Sequence, residues 1–196
     1  MRQGCPDVEA SEKRNSFMDI VSHGLWGGIA FGRASRRAFW AAFAFGVMPD
    51  LLAFGPHFVA SIWDSLAGNG GTPIGPRHGY ANIPSYVFGI YDVTHSLMVF
   101  ALAFGFAWAV RKRPWWPMAA WGLHIVMDIP THSTRFFPTP FLWPLSDYRV
   151  NGISWGHPII LVPDLVLLAA LYLWYFGIYR RRAKANKGQK SSEATE

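Results

Sequence analysis

Of the thirty residues between Arg149 and Arg180, only Asp164 carries a formal charge. The core of that stretch, Ile159 to Ile178, is rich in Leu, Ala, Tyr and Trp. A helix rising 1.5 Å per residue needs about 20 such residues to cross the roughly 30 Å of a bilayer's hydrocarbon core. This segment predicts a membrane span. His78 to Val110 also contains a single charge, Asp92, and its second half from Leu97 is almost unbroken apolar sequence, so a further span is expected from about Tyr86. Segments 15–32, 38–54 and 114–130 are apolar but shorter, which predicts helices that are tilted, shallow or buried against neighbours. The expected fold is all-α: a polytopic membrane helical bundle of about five apolar helices occupying residues 17–183. An N-terminal tail (1–16) and a polar C-terminal tail (184–196) flank it. The mean hydropathy of +0.14 leaves a soluble helical bundle with wide apolar faces as the competing architecture.

Charged residues make up 15% of the chain, against roughly 25% in soluble domains, and 51% of residues are hydrophobic, which excludes a disordered chain. The single cysteine, Cys5, excludes an intrachain disulfide framework and any multi-cysteine zinc module. The net charge of +6 does not form a nucleic-acid-binding stripe. Instead Arg33, Arg36 and Arg37 separate two apolar segments, Arg111 to Arg113 separate two more, and Arg180 to Arg182 with Lys184, Lys187 and Lys190 follow the last. Clusters so placed read as cytoplasmic flanks of membrane segments, and the basic tail suits anionic lipid headgroups. Membrane lipid is therefore an expected partner and nucleic acid is not. Asp19 and His23 interrupt the only apolar run that could serve as a cleavable signal, and no internal repeat is present. Residues 55–85 and 130–158 carry enough Gly and Pro to predict two long loops.

Placing the basic clusters on the cytoplasmic side sends segments two and four outward and segments one, three and five inward. Asp19, His23, Asp50, Asp92, His95, His124, Asp128, His132, His157 and Asp164 then gather in one layer at the non-cytoplasmic end, together with both loops. Between Glu12 and Glu193 every acid is an aspartate. Carboxylates within apolar helices cost several kcal/mol unless paired or metal-bound, and histidines are the available partners. Asp19/His23 and His124/Asp128 each stand four apart, on one helical face, and Asp92/His95 three apart, while Asp50 follows Pro49 at an expected helix end. One such pair alone is most often a hydrogen-bonded couple. Three pairs with a further Asp make a ligand set for one or two divalent ions, Zn, Mn, Fe or Ni. His132 and His157 read as contacts behind the ligands or to substrate, His57 and His78 as solvent-facing loop residues, and Asp164 as a structural partner inside the last span.

The ordered elements Met18-Asp19-Ile-Val-Ser-His23, Met48-Pro49-Asp50, Thr94-His95-Ser96-Leu97 and His124-Ile-Val-Met-Asp128 with Thr131-His132 resemble the membrane-bound metal-dependent hydrolase family that includes a LexA-regulated inner-membrane protein. The resemblance spans roughly residues 17 to 135. It implies a helical, metal-dependent hydrolase of the bacterial inner membrane with His23, Asp50, His95, His124 and Asp128 as metal ligands. The family commonly has a second acid soon after Pro-Asp and a His-Arg-Gly element before Thr-His-Ser. This chain has Leu51-Leu52 and Ile90-Tyr91-Asp92 there.

A divalent ion so held acidifies a water and polarises a carbonyl or phosphoryl oxygen, so no nucleophilic Ser or Cys is required. Asp92 or Asp19 is the expected general base, and Arg77, Arg135 and Arg149, with His132, are the expected contacts to an anionic small-molecule or lipid substrate. The expected reaction is hydrolysis of an ester, with phosphoesters favoured. Tryptophans 115, 116, 121, 143 and 155 need no catalytic role. The alternatives are a small transporter or ion-translocating protein using the same Asp/His cluster, and a non-catalytic membrane scaffold.

Overall fold

A computed structural model describes residues 20–68 and 83–179. The two tails, Asp19, Arg77 and His78 lie outside the described residues, so the assignments made to them above are neither placed nor displaced. Six helices and no strands occur among the described residues: α1 Ile20–Phe31, α2 Arg36–Leu66, α3 Ser85–Thr94, α4 Leu97–Arg111, α5 Ala119–Thr131 and α6 Pro158–Tyr172, the last continuing as a wider π-helical segment, Leu173–Tyr179.

The all-helical expectation holds, but the number of spans is smaller than five. Among the described residues, only α2 and the helix Pro158–Gly177 are long and apolar enough to cross a membrane, with α3 and α4 making a third if they count as one span bent by 58°. At 1.5 Å per residue, α1 and the 13-residue α5 each reach only about 20 Å, well short of a hydrocarbon core. They are the inner helices of the bundle. The expectation of a loop from residue 55 is also corrected. α2 continues through Pro49 and Pro56 to Leu66, a length of about 46 Å. Asp50 is thus mid-helix, and His57 is buried at 5% exposure. One face of α2 explains both: Ala42, Gly46, Asp50, Ala53 and His57, at spacings of three and four, are all buried. The second expected loop is present, running from the end of α5 to the start of α6 without a helix.

Close approach of α1 to α2 is built from glycine. Gly24, Gly28 and Gly32 repeat at spacing four, and a Cβ at any of them would fall within 3 Å of Phe43, Phe39 or their backbone neighbours. Gly46 completes the contact from the other side, since a Cβ there would lie 2.5 Å from the His23 carbonyl. The site residues of α1 and α2 are therefore held by backbone-to-backbone packing.

The outer surface is apolar. α4 buries none of its side chains, exposing Leu102, Phe106 and Val110, while α6 buries only Asp164 and Leu168 and exposes Ile159, Val162, Val166 and Leu167. Surface of this kind suits lipid and not water. Three polar clasps fasten α6 to α1. Ser22 Oγ and Trp26 Nε1 each donate to Asp164 at 2.6 Å, Tyr172 donates to the Leu25 carbonyl at 2.8 Å, and Tyr175 to the Arg33 carbonyl at 3.1 Å. Asp164 has the structural role expected of it.

The loop after α5 is pinned along its own start. Pro130, Thr131 and His132 accept from the backbone N–H groups of Ile153, Trp155 and Gly152 at 2.8–2.9 Å. A Cβ on Gly152 would stand 2.1 Å from the Pro130 oxygen. Gly152→Ala is expected to destabilise the fold by about 1–3 kcal/mol, read as a lower unfolding midpoint in detergent. An unchanged midpoint would contradict this packing.

Candidate metal centre

Three departures from regular helix bring the polar residues together. In α2, Pro49 lacks the N–H that would bond the Phe45 carbonyl, and in the same stretch the Gly46 carbonyl faces α5, where His124 Nδ1 donates to it at 2.7 Å. Between α3 and α4 the chain breaks at Thr94-His95-Ser96. Thr94 Oγ1 donates to the Pro49 carbonyl at 3.3 Å, and the Thr94 carbonyl accepts from Trp121 Nε1 at 2.6 Å. Ser96 caps α4 by accepting from Met98 and Val99 N–H at 3.1 and 3.2 Å, and donates to the Trp143 carbonyl. His95, between them, is fully buried in the bend, its ring stacked on Tyr91 at 3.8 Å and its Nδ1 3.2 Å from the Tyr91 carbonyl. In α5, Pro130 stands two residues after Asp128, and the helix ends at Thr131 with His132 N–H bonding the Asp128 carbonyl.

The result is two overlapping groups, His23/His124/Asp128 and Asp50/His95/His124, each with ligand atoms within 4.8 Å of one another and each able to hold a metal ion. Their distances are short. His95 Nε2 is 3.1 Å from His124 Nε2, 3.3 Å from Asp50 Oδ1 and 3.4 Å from Asp128 Oδ2. His124 Nε2 is 3.1 Å from Asp128 Oδ2 and 3.9 Å from Asp50 Oδ1. His23 Nε2 is 3.0 Å from Asp128 Oδ1. The side chains of His23, His95, His124 and Asp128 are at most 1% exposed, while that of Asp50 is 11% exposed and opens the cluster on one side.

Proton placement makes these distances informative. The Gly46 carbonyl can only accept, so the neutral ring of His124 carries its proton on Nδ1 and directs a lone pair from Nε2. His95 Nδ1 lies 3.2 Å from the Tyr91 carbonyl and 3.0 Å from the Thr94 hydroxyl, and the tautomer that donates to Tyr91 directs a second lone pair from its Nε2. Two lone pairs 3.1 Å apart then face two carboxylates, and neither oxygen of Asp128 accepts a hydrogen bond. Acceptors facing acceptors in a dry interior repel unless a cation stands among them. A metal ion or extra protons on the imidazoles must supply that charge. The spacing fits a metal: ligands about 2.0–2.2 Å from a tetrahedral ion lie roughly 3.3–3.6 Å apart, and the five measured separations among Asp50, His95, His124 and Asp128 Oδ2 run from 3.1 to 3.9 Å. The two carboxylates also balance the charge of one divalent ion.

All five ligands named from the sequence gather here, whereas the other assignments disperse. Asp92 does not join the cluster. Its carboxylate lies 3.4 Å from Arg149 Nη2, and Arg149 Nη1 donates to the Pro138 carbonyl at 2.9 Å, so the expected base and one expected substrate contact are spent on each other. The pairing with His95 assumed a continuous helix, and the break at His95 turns the two side chains apart. Arg135 is exposed on the loop. His132 stands at the edge of the cluster, Nδ1 3.6 Å from Asp128 Oδ1 with its side chain 19% exposed. His157 instead caps α6, accepting from Ile159 N–H. Gly46, Tyr91 and Trp155, whose ring packs 5.4 Å from that of His23, were not read as site residues. Tyr91, one turn before His95, was the one with a sequence signal.

Comparisons with family models, curated proteins and solved structures find no match. Gly46 serves both the α1 contact and the His124 proton, so Gly46→Ala is expected to weaken divalent-ion affinity about 10–100-fold. Gly55→Ala, with open space around it, is expected to leave affinity unchanged. Cobalt(II) titration followed by visible absorption checks both.

Proposed function

We propose that this chain is a membrane-bound metal-dependent hydrolase acting on an ester, with a phosphoester, of a lipid or a smaller molecule, as the preferred class. The observation that carries the reading is the convergence of His95 and His124 lone pairs with the Asp50 and Asp128 carboxylates, all buried and none of them offered a hydrogen-bond donor by the neutral rings. Asp50, His95, His124 and Asp128 would hold the ion. When bound, a divalent ion of this ligand type, zinc foremost with Mn, Fe or Ni as alternatives, supplies Lewis-acid polarisation of an ester oxygen and a water acidic enough to attack near neutral pH.

The chain's own residues supply the rest. The Gly46 and Tyr91 carbonyls hold the imidazoles in the tautomer that ligates, and Tyr91 and Trp155 keep water from the backs of His95 and His23. Asp50, the most accessible of the four ligands, marks where substrate approaches. Arg135, exposed on the loop that follows α5, provides positive charge for an anionic ester. If the basic turns face the cytoplasm of a bacterial inner membrane, Asp50 lies 13 residues, about 20 Å, along α2 from Arg37 and so towards the opposite face. That depth suits a substrate drawn from the lipid headgroup layer.

Metal content after purification tests the reading beside Asp128→Asn and His124→Ala. Wild type is expected to retain bound metal and to hydrolyse a chromogenic phosphodiester, and both variants are expected to lose metal and fall to background. Folded, metal-free wild type would overturn the proposal, and metal-independent ion flux in liposomes would favour a transporter.

A further inference from the structure

The two oxygens of Asp128 face different partners. Oδ2 lies 3.1 Å from His124 Nε2 and 3.4 Å from His95 Nε2, on the side closed by Asp50. Oδ1 lies 3.0 Å from His23 Nε2 and 3.6 Å from His132 Nδ1. A single ion would draw its imidazoles to one side of the carboxylate. Four imidazole nitrogens divided two and two between its oxygens are the arrangement of a carboxylate that bridges.

His132 supports this division independently. Its Nδ1 is buried and has no hydrogen-bond partner, although the side chain as a whole is 19% exposed. The ring therefore turns one nitrogen inward to Asp128 and leaves another part towards the outside. Its backbone is fixed for that purpose: His132 N–H bonds the Asp128 carbonyl at 3.1 Å, and the His132 carbonyl accepts from Gly152 at 2.8 Å. A residue placed only to contact substrate has no need of a buried, unpartnered nitrogen.

Resting on the hydrolase reading above, we infer that the centre binds two divalent cations bridged by Asp128, the second held by Asp128 Oδ1, His23 and His132. His132 is thereby a ligand, which sequence spacing had assigned to substrate. The second site has three protein ligands and stands nearer solvent, leaving room for water or substrate. Two divalent ions carry +4 against the −2 of Asp50 and Asp128, and this excess positive charge selects an anionic substrate, which agrees with a phosphoester and not a neutral carboxylic ester.

Metal stoichiometry of the full chain in detergent, stripped with chelator and dialysed against manganese(II), decides the question without an activity assay. Wild type is expected to bind two ions per chain and give an exchange-coupled electron paramagnetic resonance spectrum. His132→Ala and His132→Gln are each expected to bind one ion with an uncoupled spectrum, and Asp50→Asn to lose the other. One uncoupled ion in wild type overturns this inference and leaves the single-ion hydrolase standing. Two ions retained by both His132 variants also overturns it. No ion in wild type overturns both.

Discussion

Lone pairs pointed at one another inside an apolar interior set the terms for everything else in this molecule. Two carboxylates and three imidazoles are buried together, only Asp50 meeting the outside at the cluster's edge, and each would cost several kcal/mol to keep there unpaired. A neutral His124 cannot relieve the carboxylates, because the Gly46 carbonyl has already taken its proton, and His95 is in the same position wherever its Nδ1 donates to Tyr91. The helices must therefore be held against a local repulsion, which a cation bound among these groups would convert into cohesion. The glycine contact between α1 and α2, and the Asp164 clasp between α1 and α6, secure the scaffold from outside the cluster.

The irregularities of the helices serve the same end. The Thr-His-Ser break delivers His95 into the space between α2 and α5, a backbone carbonyl of α2 meets His124 across the same space, and α5 ends just after Pro130, beside the residues that close the cluster. Irregular backbone within apolar surroundings is tolerated only where its polar groups find partners, and here Thr94, Ser96, Trp121 and the loop at 152–155 provide them. Departures from regular helix are concentrated around the buried His/Asp cluster.

Much of the centre was legible because helical spacing is a strong constraint. The four-residue separation of His124 and Asp128 survives intact in α5, where the two lie 3.1 Å apart. Spacing failed where the helix it presumed did not continue. His95 leaves α3 at φ −105°, ψ 18°, so Asp92, three residues earlier, turns instead to Arg149. The reverse error occurred in α2, where the Gly and Pro content of residues 55–85 was read as a loop and Pro49-Asp50 as a helix end; the apolar residues there, and the freedom of a membrane-type helix to accommodate proline, carry it on to Leu66 and bury His57. Five apolar segments became two or three spans among the described residues, because α5 is too short to cross and the described part of α1 covers only twelve residues, both packed inside the bundle. The carbonyl of Gly46 left no trace in the sequence, since any residue supplies one.

X-ray absorption at the metal edge of the zinc-loaded protein measures the central claim directly. A first shell of nitrogen and oxygen only, at about 2.0–2.2 Å, with the outer-shell scattering of imidazole rings, is the predicted result. Sulfur at about 2.3 Å would move the ion to Cys5, and the absence of imidazole scattering would remove it from the histidine cluster. Either would contradict the account.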